Sequence, residues 1–126
     1  TRRANCSGGG KASRYSLTDT NGDGYGFYFH YKTNQLVLEK RSAWIATELE
    51  RSSQITGGAQ LNQWYTVRFM RQGTNLLVQL FLGKVDPDVE SPDLEITNND
   101  ITFDLFSQFN VNGGYEFDTD NVVVYN

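Results

Sequence analysis

From Ala12 onward, apolar and polar residues alternate in short runs rich in Val, Tyr, Phe, Thr and Trp, separated by Gly, Asn and Asp. That is the pattern of half-buried strands joined by tight turns. The clearest run is Tyr25–Tyr31, in which Tyr25, Phe27, Phe29 and Tyr31 alternate with Gly26, Tyr28 and His30. Lys32-Thr33-Asn34 then turns into Gln35–Lys40, predicting a hairpin. Gln63–Arg71 and Asn75–Leu82 form a second predicted hairpin around Gln72-Gly73-Thr74. Shorter strands are expected at Leu94–Thr97, Ile101–Leu105, Tyr115–Asp118 and Asn121–Tyr125, with Asp86–Asp93, which holds both prolines, as a loop. Ser42–Arg51 reads equally as a short helix capped by Ser42 or as an edge strand around Trp44 and Ile45. Helical period is otherwise almost absent, and many short amphipathic strands predict an all-β, antiparallel two-sheet sandwich. Phe27, Phe29, Leu36, Leu38, Val67 and Phe69 are its expected core.

A length of 126 residues fits one domain. We place it at residues 12–126 and read residues 1–11, with Gly8-Gly9-Gly10, as a flexible lead-in. Apolar runs such as Leu76-Leu77-Val78 and Val122-Val123-Val124 fall far short of the roughly 20 residues a membrane helix needs, so no membrane insertion is expected. The net charge of −4 conceals an asymmetry: Arg2, Arg3, Lys11 and Arg14 lie in the first 14 residues without an acid, whereas residues 85–126 hold ten acids and no base. An acidic last third repels a phosphate backbone, which argues against nucleic acid as a partner. The single cysteine, Cys6, leaves no disulfide within the chain. Asn5-Cys6-Ser7 matches the three-residue glycosylation pattern, a short match that arises often by chance.

Asp19-x-Asn21-x-Asp23-Gly24 places oxygen ligands at alternate positions before a glycine, as a calcium loop begins. His30 stands where an EF-hand needs its bidentate glutamate, so an EF-hand is excluded. The same residues also suit a turn in which Asp and Asn cap their own backbone. Asp118 and Asp120, two apart at the head of the final predicted strand, share a face if that strand is regular and then repel unless a cation or cationic side chain neutralises them. Asp19, Asn21, Asp23, Asp118 and Asp120 are therefore the candidate ligands of a structural calcium. As the only histidine, His30 excludes a histidine-pair metal site within the chain.

The run Arg14-Tyr15-Ser16, Asp19-Thr20-Asn21-Gly22-Asp23-Gly24-Tyr25-Gly26-Phe27, then Asn34-Gln35-Leu36-Val37-Leu38, Trp64-Tyr65-Thr66-Val67-Arg68-Phe69 and Phe117-Asp118-Thr119-Asp120-Asn121-Val122-Val123-Val124 resembles concanavalin A-like (laminin-G-like) jelly rolls in order and spacing. The resemblance covers residues 12–126. It implies the later part of such a jelly roll, either a reduced sandwich or one completed by another segment or chain. It also implies a lectin-like domain of a secreted or cell-surface protein. The glucanases of that family carry Glu-x-Asp-x-x-Glu, which is absent here, and its polysaccharide lyases carry Gln-Ile-His where this chain has Gln54-Ile55-Thr56. No catalytic residue is assigned. Sugar recognition needs aromatic rings flanked by planar polar groups. Tyr28, His30, Trp64, Arg68 and Gln79 share the non-core parity, and Trp44 lies in a loop or edge strand. If their strands are neighbours in one sheet, these residues form one patch for a polysaccharide or oligosaccharide, with Arg68 favouring an anionic one. Arg68 equally suits a salt bridge to Glu39. The expected function is a noncatalytic carbohydrate-binding module. The alternatives are a structural or adhesive protein-interaction domain and part of a polysaccharide-degrading enzyme.

Overall fold

The structure is a computed structural model and describes residues 14–60 and 63–112. Eight strands form in it: β1 (Arg14–Thr18), β2 (Gly24–His30), β3 (Gln35–Ser42), β4 (Ile45–Gln54), β5 (Tyr65–Gln72), β6 (Asn75–Leu82), β7 (Leu94–Asn98) and β8 (Gln108–Asn112). Among the described residues no helix occurs. The strands make two antiparallel sheets, a five-stranded one in the order β4-β3-β2-β1-β8 and a three-stranded one in the order β5-β6-β7. The two pack face to face as a β-sandwich. Ser42–Arg51 thus resolves as a hairpin turn followed by an edge strand, because Ile45–Gln54 pairs with β3. Ile101–Leu105, expected as a strand, is irregular, and the strand lies instead at Gln108–Asn112, against β1. The expected strands at Tyr115–Asp118 and Asn121–Tyr125 lie outside the described residues, as do the lead-in and Cys6.

The alternation along β2 and β3 sets the core. Tyr25, Phe27, Phe29, Leu36 and Leu38 meet Leu76, Val78 and Leu80 of β6 and Leu94 and Ile96 of β7. Phe27 and Phe69 stack across the sheets with parallel planes and centroids 5.2 Å apart. Tyr15 continues the column within the large sheet, stacked on Phe27 and on Phe109. Offset aromatic pairs add roughly 0.5–1.5 kcal/mol each to the apolar area they bury, so this column joins β8, β1, β2 and β5. A register shift between β3 and β4 is filled by Ser52, whose hydroxyl accepts the Leu36 N–H at 2.9 Å.

Fully buried Tyr25 carries a hydroxyl that needs a partner. It donates to Asp100 Oδ1 at 2.8 Å and accepts the Phe103 N–H at 3.1 Å. Lys40 Nζ reaches Asp100 Oδ2 at 3.1 Å and Thr102 Oγ1 at 2.8 Å. This cluster fixes the irregular 98–107 segment to the end of the large sheet and explains why those residues leave strand conformation: their polar groups turn to the Tyr25 hydroxyl and Lys40. Burial alone would raise the Asp100 carboxyl. The Thr102 N–H, the Tyr25 and Thr102 hydroxyls and Lys40 outweigh it and bring the pKa down from 3.8 to about 2.

Truncating Phe27 or Phe29 to alanine is expected to cost about 3–5 kcal/mol in denaturant unfolding. A loss under 1 kcal/mol would show that the aromatic column does not carry the core. Because the folded pKa of Asp100 lies below its ordinary value, its contribution is present above about pH 4 and lost as pH falls toward 2. The expected difference between wild type and Asp100→Asn at pH 7 is on the order of 1–2 kcal/mol and vanishes near pH 2. Parallel urea melts across this range measure it.

Candidate functional site

The Asp19–Gly24 turn joins β1 to β2. Asp19 Oδ1 accepts the N–H of Asn21 at 2.8 Å and of Asp23 at 3.1 Å, and Asp19 N donates to Asp23 O at 3.0 Å. Asp19 therefore caps its own turn, the second of the two roles its spacing allows. Asp23 reaches the neighbouring hairpin, where its Oδ1 accepts the Ala43 N–H at 2.8 Å. These two inward-facing oxygens are taken by backbone donors. Among the described residues no group of three or more His, Cys, Asp or Glu is placed to hold a metal ion. Asp118 and Asp120 lie outside them.

The β3–β4 turn is unusual. Ala43 and Trp44 both have positive φ, 50° and 70°, the geometry of a two-residue type I′ hairpin that ordinarily selects Asn and Gly. A bulky residue there is an outlier, and each such residue costs of order 1–3 kcal/mol. The turn is held by Asp23 and by the Trp44 N–H, which donates to Gly22 O at 3.0 Å. The Trp44 indole lies on Gly22, where a Cβ would meet ring atoms at 2.5 Å. Gly22 is thus required twice, for its φ of 81° and for the close approach. Trp44 is nevertheless 50% exposed and its neighbour Ile45 71% exposed. The arrangement is a ring supported by Gly22 with an open side, in a turn tied to the Asp19–Gly24 turn through Asp23 and Gly22. Sequence reading treated Trp44 and the acidic turn as separate sites; the structure joins them.

The expected patch of Tyr28, His30, Arg68 and Gln79 does not form. Tyr28 and His30 lie on the outer face of the five-stranded sheet, whereas Arg68 and Gln79 lie on that of the three-stranded sheet. Tyr28 and Gln79 are both buried yet lie outside the inter-sheet cluster, and the two outer faces belong to different sheets. Arg68 does not bridge to Glu39. Its Nη2 donates to Gln79 Oε1 at 2.7 Å, Gln79 Nε2 donates to Glu95 Oε2 at 2.7 Å, and Arg68 Nη1 meets Asp88 Oδ1 at 2.7 Å. This row ties the 83–93 loop across the small sheet and leaves Gln79 buried. Trp64 is likewise engaged, with Lys84 Nζ 4.1 Å from its ring centroid.

Sequence reading missed the polar face of the large sheet. Glu39, whose side chain is 4% exposed, pairs with Arg14 and lies 3.5 Å from the guanidinium of Arg41. Arg14 also lies 5.0 Å above the Tyr28 ring. Burial and the Glu39 charge both raise the Tyr28 hydroxyl above its ordinary pKa. The available signal was the pair Glu39 and Arg41, two apart and opposite Gly26 and Gly24. Charges that alternate with leucines on one strand and face glycines on the next belong to one recessed polar face.

Compared with family models, with curated proteins and with solved structures, the chain matches none. The concanavalin A-like resemblance therefore rests on sequence motifs alone.

Replacing Ala43 by glycine relieves the positive φ without touching the indole. The expected gain is about 0.5–1 kcal/mol in a denaturant melt. A neutral or destabilising result would mean that the turn is relaxed.

Proposed function

We propose that this chain is a noncatalytic carbohydrate-binding module whose contact point is the Trp44 turn. The observation that carries the reading is the half-exposed indole held in a positive-φ backbone conformation and backed by Gly22. Strain of this kind persists only where surrounding contacts over-determine it, and it clusters at ligand clamps. An indole face offers the apolar C–H side of a pyranose a flat contact, and an aromatic already fixed loses little rotamer entropy on binding. Asp19, Asn21 and Asp23, on the turn tied to that of Trp44, supply planar acceptors and a donor for sugar hydroxyls. One oxygen of Asp19 and one of Asp23 accept backbone N–H groups, which holds these two carboxylates in place.

Ile45 supports a second reading. A 71% exposed isoleucine beside the tryptophan also suits a protein partner, for which a small apolar tip is the usual anchor.

An array of immobilised neutral and acidic glycans, followed by calorimetric titration of those that bind, separates the two readings. Wild type is expected to bind an oligosaccharide with Kd in the micromolar to millimolar range, about 4–8 kcal/mol. Trp44→Ala is expected to weaken it at least tenfold, about 1.4 kcal/mol, with the unfolding midpoint nearly unchanged. Ile45→Ser is expected to leave it intact. Absence of glycan binding, or equal binding by Trp44→Ala, would overturn the proposal. Repeating the titration with a chelator tests calcium: loss of affinity would assign a metal to the outer oxygens of Asp19 and Asp23.

A further inference from the structure

The recessed face of the large sheet begins one residue pair from that turn, since Arg41 pairs with Gly24 directly after Asp23. Its charges do not balance. Arg14 and Arg41 are two guanidiniums against the one carboxylate of Glu39, and the Arg41 and Glu39 side chains are 7% and 4% exposed. Among the described residues, Arg14 Nε and Arg41 Nε are buried without a hydrogen-bond partner, and Glu39 Oε2 has no donor in hydrogen-bonding geometry. Leaving a buried donor unmade costs more than a hydrogen bond returns, more still when the group is charged.

Among the described residues, the neighbouring groups do not supply the missing negative charge. Arg51 is paired with Glu48 in an ion pair of zero net charge. Asn110 donates to Ser16 and Thr18 hydroxyls. Tyr28 and Val37 complete the row beside Arg14 and Arg51. Gly26 leaves the space that Arg41 occupies, a Cβ there lying 3.2 Å from Arg41 Nε. A longer side chain at position 26 would displace the guanidinium from the sheet surface.

We infer that Arg14 and Arg41 form a binding site for a singly charged anionic substituent on a saccharide, a carboxylate or a sulfate ester. Each guanidinium keeps an Nε–H without a partner among the described residues, planar guanidinium donors match such oxyanions, and one net positive charge matches one negative charge. Glu39 sets the strength of the site by neutralising one of the two arginines. The saccharide in this inference rests on the Trp44 reading; the anion site itself does not. About three residues of strand, roughly 10 Å, separate Gly26 from the acidic turn, about two sugar rings.

The test compares trigalacturonate with its methyl ester by calorimetry at constant ionic strength, for wild type, Arg14→Gln, Glu39→Gln and Trp44→Ala, each checked for folding by circular dichroism. Wild type is expected to prefer the acid about tenfold, the value of one charge-assisted hydrogen bond. Arg14→Gln is expected to abolish that preference. Glu39→Gln is expected to increase it, an opposite sign that a merely structural ion pair would not give. Trp44→Ala is expected to weaken acid and ester equally and preserve their ratio. A ratio near one in wild type, or one unmoved by both Arg14→Gln and Glu39→Gln, would overturn the inference and leave the Trp44 reading standing. Thermal midpoints with glucuronate, glucose 6-sulfate and glucose distinguish carboxylate from sulfate. If no oligosaccharide binds but either anion raises the midpoint of wild type and Trp44→Ala, and less that of Arg14→Gln, the Trp44 reading fails and the anion site stands. No midpoint shift with either anion would reject both sources.

Discussion

The alternation along β2 is the constraint on which the remaining features depend. On one side Tyr25, Phe27 and Phe29 enter the core, where Phe27 meets Phe69 of the other sheet. On the other, Gly24 and Gly26 present no side chain at all, and Arg41 lies over Gly26 from the adjacent strand. The aromatic side supplies apolar area at about 25 cal/mol per Å². The glycine side weakens the strand intrinsically, since an interior glycine has nothing to pack. One strand can hold both because its inward rings are large enough to compensate. The polar face exists as a consequence of how much the opposite face buries.

The Trp44 turn depends on the same strand through its entry. Asp23, immediately before Gly24, accepts the Ala43 N–H, and Gly22 accepts the Trp44 N–H and receives the indole. A positive-φ tryptophan is unfavourable locally, and the adjoining turn offsets this by accepting the backbone donors of Ala43 and Trp44. Asp19 enables this indirectly, since its carboxylate fixes the turn that presents Asp23. In the folded chain Asp19 and Asp23 each use one carboxylate oxygen to cap backbone donors.

Strand positions and face parity were legible in the sequence, because period two is a direct consequence of strand geometry and every predicted core residue on β2 and β3 proved buried. Sheet membership was not. Tyr28 and Arg68 share a parity, yet parity names a face of a strand and is silent on which sheet that strand joins. Long-range pairing decides this, and nothing local in Gln63–Arg71 records that β5 pairs only with β6 while β1 pairs with β8. Ile101–Leu105 failed for a different reason. Its apolar positions suit a strand, but the Tyr25 hydroxyl and Lys40 offer Asp100 and Thr102 better partners than a sheet edge does. The Trp44 turn was half legible: the exposed tryptophan and the Asp-Asn-Asp spacing were each visible, and their contact is a tertiary event.

The two sites differ in how charge acts in them. At a net charge of −4 the molecule repels acidic polymers at long range, but that repulsion decays over about 8 Å at physiological ionic strength. The Arg14, Glu39 and Arg41 group is largely shielded from solvent, where charges interact more strongly and are screened less. A surface cluster of the same composition would attract any polyanion. A recessed one under a net acidic surface acts only on an anionic group brought within contact distance, so general electrostatic adhesion is suppressed while a correctly placed substituent is retained. The turn and the recessed face then divide the work of recognition, ring contact at one and charge at the other, the first resting on Gly22 and the second on Gly26.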